Sequence, residues 1–109
     1  MTVLATVVSV PARDRAVLDA GSKTLSSDPM RPNADGYGRI VGETSRVARV
    51  SEEHGIIAIA GSESFRVGQR VRILPNHACA VSNLHERLVA VRGDTVEGEI
   101  RVAARGCVQ

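Results

Sequence analysis

Short apolar runs rich in β-branched residues, each stopped by Pro, Gly or a polar cluster, recur roughly every ten residues along this chain. They are Thr2–Val10, Arg15–Asp19, Tyr37–Val41, Arg46–Val50, Gly55–Ile59, Val71–Leu74, Leu88–Val91 and Ile100–Val102. Runs of three to nine residues are too short for a chain of stable helices, and the apolar positions do not recur at 3.6. The pattern predicts an all-β fold, a small antiparallel β-barrel or sandwich of about seven or eight short strands. At most one short helical turn is expected, within Ala78–Leu88.

The first run, Thr2–Val10, is apolar at nearly every position and reads as a strand buried on both faces and closed by Pro11. Its abrupt start looks like the inside of a longer chain, and it is expected to share one sheet system with Ile100–Val102. Ser51-Glu52-Glu53-His54 reads as the loop of a hairpin. In Arg92-Gly93-Asp94, the Gly-Asp pair is what a turn between two strands requires, so the turn accounts for this adhesion-like tripeptide. Between the second and third runs, Gly21, Ser26–Pro29 and Pro32–Gly36 mark a long polar connection. A loop of that length in a small domain is expected to be functional or covered by a partner.

With 109 residues the chain is expected to form a single β-domain, 1–109. One Phe and one Tyr leave the core to Val, Ile, Leu and Ala, and they exclude the stacking platforms that bind single-stranded nucleic acid. A net charge of +2, dispersed along the chain, gives no phosphate-tracking face, so no nucleic-acid partner is expected. No stretch reaches the roughly 20 apolar residues of a membrane span, and Met1–Val10 lacks the marks of a signal peptide. A cytoplasmic address is the expectation. Cys79 and Cys107 form no framework of spaced pairs, in keeping with free thiols in a reducing compartment.

The most informative chemistry lies in Pro75-Asn76-His77-Ala78-Cys79. An imidazole and a thiolate at i and i+2, directly after a Pro-terminated strand, can reach one metal ion from one side of a loop, and the pair suits Zn²⁺. Two ligands do not make a structural zinc site. They fit an open site whose other positions go to water or substrate. The alternative is a surface His beside a buried Cys that acts as a small hydrophobe. His54 is a candidate third ligand or base, or else ordinary hairpin chemistry, and His85 reads as a solvated loop residue. Tyr37, flanked by Gly36 and Gly38, is either an anchor for a barrel wall or a hydroxyl offered to a neighbouring site. Asn76 is placed to face the same site. Lys23 is the one lysine available for imine chemistry.

Six blocks, in order, resemble one known family: Asp19-Ala20-Gly21-Ser22-Lys23-Thr24-Leu25-Ser26, Gly36-Tyr37-Gly38, Ser51-Glu52-Glu53-His54-Gly55, Val67-Gly68-Gln69-Arg70-Val71, Pro75-Asn76-His77-Ala78-Cys79 and Val102-Ala103-Ala104-Arg105-Gly106. Together they are similar to the C-terminal domain of the D-serine dehydratase and D-threonine aldolase family, across almost the whole chain. The resemblance implies an alanine-racemase-type pyridoxal phosphate enzyme in which an N-terminal (β/α)₈ barrel carries the cofactor lysine and the β-domain closes the active site. It implies a divalent metal, Zn²⁺ or Mn²⁺, on a His and a Cys or Asp two residues apart, which here are His77 and Cys79. With Cys in the second place, the resemblance favours a zinc-bearing, dehydratase-like site. The implied partners are that barrel, in cis or in trans, and a D-serine-like or D-threonine-like β-hydroxy amino acid, and a homo-oligomer is expected. The barrel is absent from the chain, and Lys23 is not the cofactor lysine. An apolar face or unpaired edge, covered in the intact enzyme, is therefore expected. The competing reading is a non-catalytic β-barrel binding module that keeps the fold without the chemistry.

Overall fold

In a computed structural model of the protein, residues 1–29 and 36–107 are described. Six strands close into a barrel in the order β1-β2-β5-β4-β3-β6: β1 (Val3–Ala12), β2 (Arg15–Leu18), β3 (Gly38–Ile40), β4 (Arg46–Val50), β5 (Gly55–Ala58) and β6 (Arg70–Pro75). Closure leaves no open sheet edge in this unit. The last two strands, β7 (Arg87–Arg92) and β8 (Thr95–Arg101), pair with each other in a separate two-stranded ribbon. The all-β expectation is met, with eight strands among the described residues. The expectation that the first and last strands share a sheet is not, because β8 pairs with β7 alone.

β1 is not buried on both faces. Val3, Ala5 and Val7 point inward, whereas Leu4 and Val8 are exposed. Apolar residues on the outward face concealed the period-two alternation that a one-sided strand otherwise displays. Nor does Pro11 close the strand, which continues to Ala12 through two register shifts against β2. These shifts let one strand pair with β6 over Val3–Thr6 and with β2 over Val7–Ala12, and so turn a barrel corner.

The barrel interior is filled by small and branched side chains, among them Val7, Ala16, Leu18, Val47, Ile57 and Ile73, all fully buried. Leu25 and Val81 reach the same cluster from two short helices, α1 (Ser22–Leu25) and α2 (Ala78–Leu84). α2 falls where the sequence predicts a helical turn. α1 is an addition, in the part of the polar connection before Asp28, while Pro32–Asp35 lies outside the described residues.

Neighbouring strands are antiparallel all the way round. It follows that β2, β4 and β6 end on the same rim at which β1, β3 and β5 begin. The connections after β2, β4 and β6 all leave from that rim, and they carry Lys23, Asp28, Tyr37, His54, Asn76, His77, Cys79 and His85. Sequence-distant candidates are thus delivered to one end of the barrel by topology alone.

The opposite rim is closed by a carboxylate. Glu63 accepts hydrogen bonds from the Thr44 amide (2.6 Å) and hydroxyl (2.5 Å), from the Ser45 amide (3.0 Å) and from the buried Ser45 hydroxyl. The Ser45 hydroxyl oxygen in turn accepts from the Ala60 amide at 3.0 Å. These donors, the Ser45 and Thr44 hydroxyls foremost, favour the ionised form and lower the Glu63 carboxyl from its ordinary value near 4.5 to about 2. Because the folded value lies below the unfolded one, this contribution to stability is complete above about pH 4.5. It is lost as pH falls toward 2. Urea titrations of wild type and Glu63→Gln should therefore show a stability gap at pH 6 that shrinks progressively between pH 4.5 and 2. A gap of constant size would remove the ionised carboxylate from the account.

Among the described residues no helix is long and apolar enough to cross a membrane. An apolar groove runs between the start of β1 and the ribbon, lined by Met1, Leu4, Val89, Val91 and Val96, each at least half exposed. An exposed apolar face of the expected kind is present.

Candidate metal centre

Pro75 ends β6, and the chain turns through Asn76 and His77 into α2, whose first two residues are Ala78 and Cys79. Asn76 is half-buried and donates from Nδ2 to the Gly36 carbonyl at 2.6 Å, tying this turn to the segment that enters β3. Tyr37 follows that carbonyl, is half-buried and packs on the core cluster, while its amide donates to the Val47 carbonyl at 2.7 Å. Of the two roles open to Tyr37, the barrel anchor is the one for which contacts exist. At Gly36 φ is +90° and a Cβ would lie 2.3 Å from the Val47 carbonyl oxygen, so only glycine lets the two segments meet.

His77 precedes α2 in extended conformation, and its Nδ1 lies 2.6 Å from Oδ2 of Asp28. A carboxylate can only accept, so the neutral imidazole carries its proton on Nδ1 and keeps its Nε2 lone pair free. Cys79, two residues on, is exposed. The alternative of a buried Cys serving as a small hydrophobe is thereby excluded. Among the described residues, no group of three or more His, Cys, Asp and Glu is placed to hold a metal ion. A metal on this chain would have His77 and Cys79 as its protein donors, a nitrogen and a sulfur that suit Zn²⁺, with further positions open. The donor set fits the implied ion.

His54 lies on the same rim but is engaged in its own hairpin. Its amide donates to Ser51 Oγ and its carbonyl accepts from the Ser51 amide at 2.8 Å, which is ordinary loop chemistry. His85 is not a solvated loop residue. It is half-buried, and its Nε2 donates to the Thr24 carbonyl at 3.2 Å, joining α2 to α1.

α1 itself sits on the β4–β5 hairpin. The Ser22 and Lys23 amides donate to the Ser51 and Glu52 carbonyls at 2.8 and 3.1 Å. The Lys23 ammonium lies 2.7 Å from Glu53 and 3.0 Å from Glu52. Its hydrogen bonds to Glu53 and then Glu52 raise its pKa, whereas an amine that attacks a carbonyl needs its pKa lowered. Lys23 does not fit a cofactor lysine, in agreement with its exclusion from that role on sequence grounds.

Sequence reasoning missed Asp28. It lies 49 residues from His77 along the chain, in a Ser-Ser-Asp-Pro stretch that reads as an ordinary turn, and no local signal joins the two.

A β-barrel domain with this rim is the C-terminal domain of the D-serine dehydratase and D-threonine aldolase family. Residues 1–91 match the family model described as "Putative serine dehydratase domain", and the chain belongs to that family. It is 41% identical over 113 residues to an uncharacterized protein of Mycobacterium tuberculosis, covering 97% of this chain and 84% of that one. It is 37% identical over 106 residues to the D-threonine aldolase of an Arthrobacter species, covering 95% of this chain and 26% of the enzyme. Among solved structures, the D-threonine aldolase of Filomicrobium marinum superposes with a TM-score of 0.84 at 33% identity, over 100% of this chain and 29% of that one. D-threo-3-hydroxyaspartate dehydratase superposes at 0.79, with 32% identity over 93% of this chain and 31% of that one. Its structures include a His-to-Ala mutant and a Cys-to-Ala mutant in the metal-free form, altered at positions two apart. The chain thus spans about a quarter to a third of the length of these enzymes.

Proposed function

We propose that this chain is the metal-bearing C-terminal domain of a pyridoxal phosphate-dependent D-amino-acid lyase, of the D-serine dehydratase or D-threonine aldolase type. The observation that carries the reading is the His77 imidazole held through Nδ1 with Nε2 free, beside an exposed Cys79 at the start of α2. Related structures support it, since a His and a Cys at the same spacing were the residues replaced in the dehydratase, the Cys variant having been solved in the metal-free form. His77 and Cys79 would hold the metal ion, which would supply Lewis-acid polarisation of the substrate β-hydroxyl, and pyridoxal phosphate would supply the electron sink from a (β/α)₈ barrel in cis or in trans. Zn²⁺ suits the thiolate better than Mn²⁺ does.

The chain's own residues divide the remaining work. Asn76 fixes the turn that presents His77, and its bond to Gly36 holds the β3 entry beside it. α1 and α2, plugging the rim with Leu25 and Val81, make a dry floor beneath the donors. The apolar groove and the ribbon supply surface for the barrel and for a homo-oligomer. Dehydration and aldol cleavage both ask this domain for the same thing, an oriented β-hydroxyl.

The second reading, a non-catalytic module, is favoured by one finding. The mycobacterial relative is matched over 84% of its length and so leaves little chain for a barrel. Zinc titration separates the two readings. Calorimetry should give binding to wild type with proton release, because the thiol must ionise. His77→Ala and Cys79→Ser should each weaken it by more than about 100-fold, beyond what loss of an outer-shell partner does. Equal affinity in all three proteins would leave the non-catalytic module standing.

A further inference from the structure

We infer that Asp28 is the positioning residue of the metal centre: accepting the Nδ1 proton of His77, it selects the imidazole tautomer whose Nε2 lone pair is free for the ion. The inference rests on the metal reading of His77 and Cys79, and the experiment below tells the two apart.

The local chain is built to place this carboxylate. α1 is followed by Ser26 with φ 62° and ψ 169°, a combination that residues with a Cβ seldom adopt. The Asp28 amide donates to Ser26 Oγ at 3.2 Å, holding the turn in that conformation. The turn bends the chain back from α1 toward the start of α2, where Asp28 meets His77 at 2.6 Å. A second strut, His85 to the Thr24 carbonyl, keeps α1 against α2. The α1 segment is thereby fastened to both ends of α2, through Asp28 to His77 before it and through Thr24 to His85 after it.

The chemistry follows from the imidazole alone. An unrestrained neutral histidine prefers its proton on Nε2, the nitrogen a metal would need bare. A carboxylate on Nδ1 reverses that preference, fixes the ring plane and raises the basicity of the ligating nitrogen. Both side chains are partly exposed, so this pair adds little to stability. A contact of that kind is better explained by what it does to the ring than by what it does for the fold.

Two readouts on the full 109-residue chain test this. The first uses no metal: nitrogen shifts of the His77 ring at pH 8 should show the Nδ1–H form in wild type and a shift toward Nε2–H in Asp28→Ala. The second is Zn²⁺ titration, where Asp28→Ala should bind about 10- to 100-fold more weakly. Asp28→Asn, which keeps an accepting oxygen, should recover part of the loss, and urea midpoints of all three should agree closely. A wild-type ring already in the Nε2–H form would overturn the proposal. So would undiminished zinc affinity in Asp28→Ala, or weakened affinity with the tautomer unchanged, since Asp28 would then act as a direct ligand or a bare charge. If His77→Ala leaves zinc affinity intact, it is the metal reading that fails, whatever the tautomer shows.

Discussion

Replacing Leu18 by Ala should destabilise the domain by about 2 to 5 kcal/mol, while the same truncation at Leu4 should cost at most about 0.5 kcal/mol. Leu18 is fully buried at the end of β2, inside a closed barrel, and Leu4 is 62% exposed on β1. The wall around Leu18 cannot collapse onto a lost side chain without breaking the hydrogen bonds of closure, so a cavity remains. Against a total stability of roughly 5 to 15 kcal/mol, that loss brings the fold close to its threshold. Chemical denaturation of the two variants checks both figures. A large loss at Leu4 would return β1 to a strand buried on both faces. Only the fold's hydrophobic interior is at issue in this pair, because neither leucine is a candidate metal donor.

The same pair shows how far the strands were legible. β2, β4, β5 and β6 are short β-branched segments between Pro, Gly and polar clusters, and local pattern locates them within a residue or two. Burial was harder to read in β1, since Leu4 and Val8 carry apolar side chains on the outer face and mimic a fully buried strand. Hairpin pairing was within reach of local pattern, but closure of the barrel was not. That β6 joins β1 and β3 depends on contacts between residues tens of positions apart. The Gly93-Asp94 turn between β7 and β8, with Gly93 at φ 58°, was readable because it is entirely local.

The site divides in the same way. His77 and Cys79 were legible as candidate donors because their chemistry and spacing lie within three residues. The carboxylate that meets His77 was not, because it comes from the connection after β2. α1 was hidden for a related reason. Ser22-Lys23-Thr24-Leu25 has neither length nor periodicity to form a helix alone. Two of its amides are satisfied by carbonyls of the β4–β5 hairpin, so tertiary contact and not propensity makes this turn helical.

That dependence makes Gly21 the residue on which the rim turns. A Cβ at Gly21 would lie 2.4 Å from the carbonyl oxygens of both Ser51 and Glu52, the two acceptors that hold α1. Backbone on both sides leaves nothing flexible to yield, so Gly21→Ala must lift α1 off the hairpin. The strain of overpacking costs about 1 to 3 kcal/mol, and the seat of Leu25, only 2% exposed, opens with it. Gly98 in β8 is the control: a Cβ there meets nothing within 4 Å, and Gly98→Ala should be neutral within about 0.5 kcal/mol. Hydrogen exchange in Gly21→Ala should accelerate at the Ser22, Lys23, Thr24 and Leu25 amides while those of β4 and β6 stay protected. The effect should then reach the donors through the chain. α1 carries the carbonyl that His85 grips and leads directly to Asp28, so the His77 ring in Gly21→Ala should lose its Nδ1–H preference although every residue around it is unchanged. Unaltered protection of α1 would mean that the hairpin gives way instead of the helix, and would remove Gly21 as the hinge between barrel and candidate metal centre.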